Sequence, residues 1–412
     1  MNVLLLAPHP FYQDRGTPIA VNLVLRVLSE RGTRIDMVTF HEGSDVVHDH
    51  VRIHRIPTIP FVNGLRPGFS WKKLVCDAVM VLKTLALASK NRYHVVHAVE
   101  EAVYIALLLK WILRIPYVYD MDSSMAQQME EKYPFLVVIR RVLYAFERLA
   151  VRNADAILPV CEALTASIAQ YQPKKVCQLH DVPLLAEATH APRVDLRKDL
   201  GIDGTVIMYV GNLEVYQGID LLLESFALLM KKAKDVDLVI IGGEAADIEK
   251  YRKRAGELGI HSRLHFLGPK PIQDLSGLLS QADILVSPRI KGNNTPMKLY
   301  SYLHSGKAVV ATALPTHTQV LNSRVAMLAD PRAEDFSMAV LQLVEDESLR
   351  VVIGKAGRNL IEEKYLYSSF CEKLNGLYDW LEQETGAIKS DVPLSAPLKD
   401  KPAGGDSESA FR

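Results

Sequence analysis

A short polar segment late in the chain combines basic side chains with residues suited to a tight loop. Its basic residues are Arg289, Lys291 and Lys298. Between them stand small or polar residues, namely Gly292, Asn293 and Thr295. Guanidinium and ammonium groups bind phosphate, and a helix that begins after such a loop offers free backbone N–H groups to the same anion. We therefore expect a diphosphate to bind here, and a solvated basic loop before a helix capped by Asn or Thr is the alternative.

A second group of reactive side chains lies in the first half of the chain. Asp120 and Asp122 follow a predicted strand over residues 116–119, and an extended backbone would point both carboxylates to one side. His97 lies near the end of another predicted strand, over residues 95–99, and would approach the same place. These groups have the chemistry for acid–base catalysis, for orienting a hydroxyl or for holding a divalent cation. Helix capping by Asp122 and a structural core position for His97 are the alternatives.

Three further turns follow predicted strands, and ligands of parallel sheets bind at this end of the strands. The first turn lacks the GxGxxG pattern, so we expect no dinucleotide site there. We expect it to contact a phosphate or an acceptor instead, with a plain flexible turn as the alternative. The residues that we assign to ligand sites in these turns are Gly16, Thr17, Gly211, Asn212, Gln217 and Gly243.

Strand and helix patterns alternate along the chain and so define the elements that must position these residues. The alternation runs through the first half and restarts in the second. It predicts an α/β fold with two doubly wound, Rossmann-like domains of parallel strands that face each other across a cleft. We place the first domain at residues 1–185, a linker at 186–203 and the second domain at 204–367. The tail, residues 386–412, is rich in Pro, Gly, Ser and charged residues and is expected to be disordered.

The totals exclude several classes of protein. The 412 residues include 48 Lys plus Arg and 48 Asp plus Glu, so no global field favours nucleic acid as a partner. The four cysteines are scattered without metal-ligand spacing, so we expect no metal site and a reducing compartment. No apolar run reaches the length of about 20 residues that a membrane-spanning helix needs.

Two predicted helices, at residues 71–89 and 135–153, mix basic residues with aromatic and aliphatic ones. Helices of this kind lie on anionic lipid surfaces, and packing helices with solvated charges are the alternative. We therefore expect a cytoplasmic protein with peripheral contact at the inner face of the membrane.

Five segments in order resemble those of one enzyme family. They are GTPIAVNLVLRVLSERGTRIDMVTF, ADAILPVCEALTASI, VIMYVGNLEVYQGIDLLLESFALL, RLHFLGPKPIQDLSGLLSQADILVSPR and PMKLYSYLHSGKAVVAT. Over about residues 2–380 the chain resembles the retaining family-4 glycosyltransferases (glycosyltransferase group 1-like), which have the GT-B fold. The resemblance implies a nucleotide-sugar donor bound mainly by the second domain and an acceptor bound mainly by the first. It also implies that the last helix, at residues 368–384, crosses back to the first domain.

The sequence departs from the family's pattern at its charged positions. The family's paired glutamates fall on Asn293 and Ser301, and its early Arg and Lys of the second domain fall on Asn212 and Gln217. The histidine often found after the central strand of the first domain falls near Asp122. Neutral side chains still donate hydrogen bonds to a sugar, but these bonds are weaker than those of charged groups. The nearby basic residues are therefore expected to supply the charge for phosphate.

The resemblance implies transfer of a sugar from a nucleotide diphosphate sugar to a glycan or lipid-linked acceptor, with retention and without a metal or other cofactor. The residues expected at the reacting centre are Asp122, His97 and Lys298, with Gly16, Thr17 and Asp120 on the acceptor side. The donor's phosphates are assigned to Lys298 and Arg289, its sugar to Asn293 and Gly292, and its ribose to Ser301. Two alternatives stay open: a catalytically inactive sugar-nucleotide-binding subunit of a glycan assembly complex, and a sugar-nucleotide epimerase of similar architecture.

Overall fold

The computed structural model describes residues 1–14, 16–65, 70–184 and 195–386. The predicted tail lies outside these residues apart from its first position, and so does the first part of the predicted linker. All described strands fall into two six-stranded sheets, and every pairing within them is parallel. The predicted architecture of two doubly wound domains is therefore confirmed.

The first sheet belongs to the N-terminal domain. Its strands are β1 (Asn2–Ala7), β2 (Arg34–Thr39), β3 (Val51–Arg55), β4 (Val95–Val99), β5 (Tyr117–Met121) and β6 (Ala156–Pro159). Their order across the sheet is β3-β2-β1-β4-β5-β6, so the chain reverses its direction of winding beside β1. The helices of this domain are α1 (Gly16–Glu30), α2 (Trp71–Lys90), α3 (Val103–Leu113), α4 (Met125–Lys132), α5 (Arg140–Asn153) and α6 (Glu162–Ala169).

The second sheet repeats this design. Its strands are β7 (Thr205–Val210), β8 (Val236–Ile241), β9 (Leu264–Gly268), β10 (Ile284–Ser287), β11 (Ala308–Thr312) and β12 (Met327–Ala329). Their order is β12-β11-β10-β7-β8-β9, with the switch of winding direction between β7 and β10. The helices are α7 (Leu196–Leu200), α8 (Ile219–Leu229), α9 (Ala245–Glu257), α10 (Leu275–Ser280), α11 (Lys298–His304), α12 (Pro315–Thr318), α13 (Ala333–Glu345), α14 (Glu347–Lys364) and α15 (Tyr367–Glu384).

Each sheet has a hydrophobic core on both faces. In β1, Leu4 and Leu6 enter one core while Val3, Leu5 and Ala7 enter the other, as the alternation of side chains in a strand requires. Strands buried on both faces are apolar throughout, which explains why the sequence shows continuous apolar runs rather than alternation. The cores fix the strand ends, and the loops at those ends carry the predicted site residues.

The last helix, α15, packs against the first domain although it follows the second in sequence. Its buried residues Phe370, Leu374, Leu377 and Leu381 join the core formed by β1 and α1. Burial of one such side chain contributes about 1.5–3 kcal/mol, so this helix joins the two domains firmly. Arg31, which directly follows α1, forms ion pairs with Asp379 and Glu382 of this helix.

Two local predictions are corrected. The helix predicted over residues 135–153 begins only at α5, and a 3-10 segment, Pro134–Ile139, precedes it, because three consecutive β-branched residues disfavour an α-helix there. Helix α7 lies inside the predicted linker but packs on the core of the second domain through Leu196, so the linker is shorter than expected.

Candidate active site between the two domains

The loop after β10 is shaped by one arginine. Arg289 is 8% exposed, and its guanidinium donates hydrogen bonds to the carbonyl of Lys291 at 2.8 Å and to both oxygens of Asn294 at 3.1 and 3.0 Å. The guanidinium carbon also lies 5.0 Å from the ring centroid of Tyr216. Gly292 has φ +111°, and a Cβ there would come within 2.6 Å of the guanidinium. The glycine thus leaves room for the arginine, while the side chain of Lys291 stays exposed.

Lys298, the first residue of α11, reaches the loop after β7. Its Nζ donates a hydrogen bond to Oε1 of Gln217 at 3.1 Å and lies 3.9 Å from the ring centroid of Tyr209. Gly211 permits this approach, because a Cβ there would lie 3.1 Å from Nζ. Burial, and next the charge of Arg289, hold the pKa of Lys298 well below its ordinary value. An anion beside Nζ would favour the protonated amine and so raise this pKa again.

Asn212 and Gly243 shape the neighbouring turns at the same edge of the sheet. The hydroxyl of Tyr209 donates to the carbonyl of Asn212 at 2.6 Å, and Oδ1 of Asn212 accepts from the backbone N–H of Glu214 at 3.3 Å. Gly243 has φ +86°, and a Cβ there would lie 2.5 Å from the side chain of Leu213. Both residues therefore fix the backbone of the turns, and their predicted contacts with a ligand stay predictions.

The residues assigned to the donor's sugar and ribose are linked to neighbouring segments. Ser301 is buried, and its Oγ accepts from the backbone N–H of Leu184 at 2.9 Å. The carbonyl of Asn293 accepts from Nε2 of Gln319 at 2.6 Å, and Thr295 is buried close by. A serine hydroxyl that accepts one bond can still donate another, so the assignment of Ser301 to a ribose stays a prediction.

The start of α11 differs from the expected cap. Met297 stands at the N-cap position, and no side chain caps the helix. The side chain of Asn294 accepts from Arg289 instead, and its carbonyl accepts from Oγ1 of Thr316 at 2.7 Å. The prediction that Asn or Thr caps this helix is wrong, because the polar groups of the loop bind within the loop and to α12.

On the side of the first domain, His97 connects the last helix to the ends of the central strands. It is fully buried in β4, with Nδ1 at 2.9 Å from the hydroxyl of Tyr378 and Nε2 at 3.2 Å from Oδ2 of Asp120. Both ring nitrogens are therefore engaged. The arrangement suits a residue that positions Asp120, which is 8% exposed, rather than one that touches a substrate.

Buried carboxyl groups gather at the ends of β4 and β5. Burial, and next the charge of Asp120, raise the pKa of Asp122 to about 7, while a hydrogen bond with Thr17 lowers it. Burial, and next the charges of Asp122 and Asp120, raise the pKa of Asp181 well above its ordinary value. For Glu100 burial is again the main cause of a raised pKa, followed by the charge of Asp122. The structure therefore brings the predicted pair together with two further carboxyl groups.

Glu100 and Thr17 also lie on the first domain's side of the site. Glu100 has φ +48°, and its carboxylate accepts from Oγ of Ser123 at 3.0 Å on both oxygens. Thr17 belongs to the first turn of α1, which begins at the exposed Gly16. Within the described ranges, no group of three or more His, Cys, Asp or Glu side chains is arranged to hold a metal ion.

Direct contacts join the two domains beside these residues. The backbone N–H of Ala163, in the first turn of α6, donates to Oε1 of Gln319 at 2.7 Å. Gln319 in turn donates to the carbonyl of Asn293, so one side chain connects α6 to the loop after β10. Sγ of Cys161 lies 3.8 Å from the same carbonyl. The loop is thus held by both domains.

Three residues of the site escaped prediction. Tyr209 stands inside an apolar strand, Asp181 follows a segment that forms no regular strand, and Gln319 lies after α12, for which the sequence shows no clear helical pattern. For Asp181 the one available signal was the polar pair His180-Asp181 directly after the apolar Leu179. Tyr209 and Gln319 offered none.

Comparisons with known proteins agree with this geometry. Residues 15–180 match the family described as glycosyl transferase 4-like domain, and residues 193–360 match the family described as glycosyl transferases group 1. The alpha-D-kanosaminyltransferase of Streptomyces kanamyceticus is 23% identical over 81% of this chain and 90% of that protein. A D-inositol 3-phosphate glycosyltransferase of Corynebacterium diphtheriae is 23% identical over 88% of this chain and 89% of the relative.

Solved structures of similar fold cover almost the whole chain. The sucrose-phosphate synthase of Thermosynechococcus elongatus has a TM-score of 0.75 at 18% identity, over 93% of this chain and 99% of that protein. HepE of Anabaena, solved in complex with UDP-glucose, has a TM-score of 0.71 at 15% identity, over 92% of this chain and 100% of that one. At these identities the likeness shows the fold.

Proposed function

We propose that this chain, whose residues 193–360 match the glycosyl transferases group 1 family and whose fold is GT-B, transfers a sugar from a nucleotide diphosphate sugar to a glycan or lipid-linked acceptor, with retention of anomeric configuration. The observation that carries this proposal is the position of Lys298. Its Nζ lies between Gln217 and Tyr209 at the switch point of the second sheet, where ligands of doubly wound sheets bind. The complex of HepE with UDP-glucose, a protein of the same fold, supports a nucleotide-sugar donor.

In this proposal, the second domain stabilises the leaving diphosphate. The bond between the sugar's anomeric carbon and the diphosphate breaks, and negative charge grows on the phosphate oxygens. The acceptor's hydroxyl oxygen bonds to the anomeric carbon from the same face, and the hydroxyl proton passes to the departing diphosphate. Lys298, protonated beside the diphosphate, and the buried Arg289 supply positive charge at that place, where little water screens it. Gln217 holds Nζ of Lys298 in position. Asn293 and Ser301 are proposed to donate hydrogen bonds to the sugar and the ribose.

On the acceptor side, Asp122 is proposed to orient the hydroxyl that attacks. Its carboxyl group has a pKa of about 7, so near neutral pH its ionised form, which accepts a hydrogen bond from the hydroxyl, is present beside its protonated form. His97 acts through Asp120, since both of its ring nitrogens are engaged. We therefore propose His97 as a positioning residue. Gly16 and Thr17 are proposed to lie beside the acceptor.

A membrane contact is proposed from the surface of α5 and the 3-10 segment before it. The exposed apolar residues of this surface are Phe135, Val137, Val138, Ile139, Val142, Phe146 and Leu149. The exposed arginines beside them are Arg140, Arg141, Arg148 and Arg152. Apolar side chains that enter the lipid interface, with arginines that meet anionic headgroups, are typical of surface-bound helices. We propose that this surface brings the acceptor side of the cleft to a lipid-linked acceptor on the cytoplasmic face of the inner membrane.

Membrane attachment of this kind does not need a spanning segment. Within the part of the chain that the structure describes, no helix combines enough length with enough apolar character to cross a bilayer. We propose further that transfer needs no metal or other cofactor, because side-chain cations serve the phosphates. Transfer that persists unchanged in EDTA would support this, and its loss would contradict it.

The experiment that tests the function starts with a sugar donor. Thermal-shift measurements with UDP-, GDP- and ADP-sugars identify the nucleotide sugar that stabilises the chain, since a ligand that binds the folded state raises its stability. Transfer to glycan and lipid-linked acceptors is then measured with that donor, and the product's anomeric configuration is read by NMR. Binding without turnover would favour the non-catalytic subunit, and conversion of the donor alone would favour the epimerase. The names of both relatives favour transfer.

A further inference from the structure

A groove of about 730 Å³ lies where the chain crosses between the two domains. It is lined by residues of the segment after α6, by the end of α14 and by α15, and we refer to it as the hinge groove. Its polar lining includes three lysines, Lys175, Lys364 and Lys373, against one glutamate, Glu372. Its volume lies within the range of roughly 300–1,000 Å³ that small-molecule sites have.

None of the three lysines of the hinge groove takes part in an ion pair among the described residues. Their positive charges can therefore pair with a bound anion. Nζ of Lys175 lies 5.6 Å from the ring centroid of Trp380, which keeps it near the groove without neutralising it. Burial raises the pKa of the Cys177 thiol, and the charges of Lys373 and Lys175 oppose this shift. Burial, and next the charge of Lys373, lower the pKa of His180.

The lining also has an apolar part. Val176, Tyr365 and Leu377 contribute to it, and Leu377 is 3% exposed. A bare inorganic anion would leave this part uncovered, whereas an organic phosphate would pair its phosphate with the lysines and its carbon skeleton with these side chains. We propose that the hinge groove is an effector site for a small organic phosphate.

The groove is connected to the donor site through aromatic rings that pack edge to face. The ring of Tyr365 lies 5.1 Å from that of His180 and 5.2 Å from that of Tyr300, which belongs to α11. Tyr300 is two residues beyond Lys298 on the same buried helix. A ligand that packs on Tyr365 therefore stabilises the arrangement in which α11 holds Lys298 beside Gln217. It is expected to tighten binding of the sugar donor.

Binding is tested by calorimetry on the full chain with ribose 5-phosphate, inorganic phosphate and ribose as probes. Ribose 5-phosphate is expected to bind saturably and more tightly than inorganic phosphate, and ribose is expected not to bind. Lys364→Glu and Lys373→Glu should each weaken binding of ribose 5-phosphate at least about fivefold, because a favourable charge becomes repulsive. Both side chains are exposed, so neither change disturbs a core. Lys355→Glu, the same exchange on the exposed face of α14, is the control and should leave binding unchanged.

The effect on the donor site is measured separately and rests on the proposed function. Saturating ribose 5-phosphate should lower the Kd of the nucleotide sugar selected by thermal shift at least about fivefold, and Lys373→Glu should abolish this effect. Failure of ribose 5-phosphate to bind, or equal binding by the wild type and both groove variants, would overturn the effector site. Binding without any change in donor affinity would overturn the connection through Tyr365. Saturable binding in a protein that transfers no sugar would leave the site standing and refute the proposed function alone.

Discussion

Nζ of Lys298 lies 3.1 Å from Oε1 of Gln217, although 81 residues separate them in the chain. The resemblance to family-4 glycosyltransferases places a phosphate-binding lysine at the position of Gln217. A lysine from α11 therefore brings its charge to the place where the expected one is missing. The site thus keeps a lysine amine at this place, supplied from another position of the chain.

The first prediction concerns this lysine. Lys298→Ala should lower kcat about 100-fold to 1,000-fold, as does the loss of other groups that stabilise charge in a transition state. Folding should persist, because the change removes a buried cation. The measurement is steady-state transfer together with circular dichroism, and the control is Lys270→Ala at an exposed position of the same domain.

A double variant that exchanges the residues at positions 217 and 298 tests whether the position of the amine matters. The double variant with Gln217→Lys and Lys298→Gln moves the amine to the family's position and should recover part of the activity that Lys298→Ala loses. An inactive but folded double variant would show that the position of Lys298, and not its charge alone, decides catalysis. Wild-type activity in Lys298→Ala would refute its role.

The second prediction concerns the pH dependence of donor binding. The pKa of Lys298 is held well below its ordinary value in the free protein, and a bound diphosphate raises it again. Affinity for the nucleotide sugar should therefore fall as the pH rises above the free-state pKa, by up to about tenfold per pH unit. Calorimetry across pH, with buffers of different ionisation enthalpy, would detect the proton taken up on binding. Lys298→Arg should remove the dependence, because arginine stays charged.

The third prediction concerns stability and Asp122. Its pKa of about 7 lies above the unfolded value of 3.8, so the folded state holds an additional proton between these values. Stability should therefore fall as the pH rises from about 4 to about 7. Asp122→Asn should raise the free energy of unfolding at pH 8 by up to about 4 kcal/mol, and the gain should vanish near pH 4. Urea unfolding at pH 4 and pH 8 measures this gain in Asp122→Asn and in the control Asp203→Asn, which changes an exposed residue.

The fourth prediction concerns the contact between the domains. Gln319→Met keeps the length of the side chain but removes its bonds to Ala163 and to Asn293. Each lost bond costs about 1–3 kcal/mol where a partner stays buried and unpaired, so the two domains should separate more often. Hydrogen exchange should rise in α6 and in the loop after β10. Gln342→Met at an exposed position is the control, and equal exchange in both variants would contradict the role of Gln319.

The fifth prediction concerns the membrane surface. Val138 is 91% exposed, and Val138→Glu should weaken binding to vesicles that contain phosphatidylglycerol, because a carboxylate meets anionic headgroups. A loss of about fivefold or more is expected in sedimentation with vesicles. Val351→Glu, at a valine of the second domain that is 62% exposed, serves as the matched control. Equal binding by both variants, or wild-type binding to neutral vesicles alone, would refute this surface.

The sequence by itself determined the architecture of two doubly wound domains and the position of the polar loops at the strand ends. Apolar runs buried on both faces and polar turns after them are local patterns, and each strand or helix follows from residues close to one another in the chain. Predictions failed where local patterns were ambiguous. Polar residues before α11 resembled caps, although Arg289 engages Asn294 there instead.

Only the tertiary structure decided which distant side chains meet. It brought Lys298 to Gln217, placed His97 between Asp120 and the last helix, and added Asp181 to the carboxyl groups. Such contacts depend on how far each strand extends and how each helix packs across a sheet. They also set the pKa values of the site, because burial and neighbouring charges exist only once the chain is folded. The sequence supplies the charged groups, and folding decides which of them share one environment.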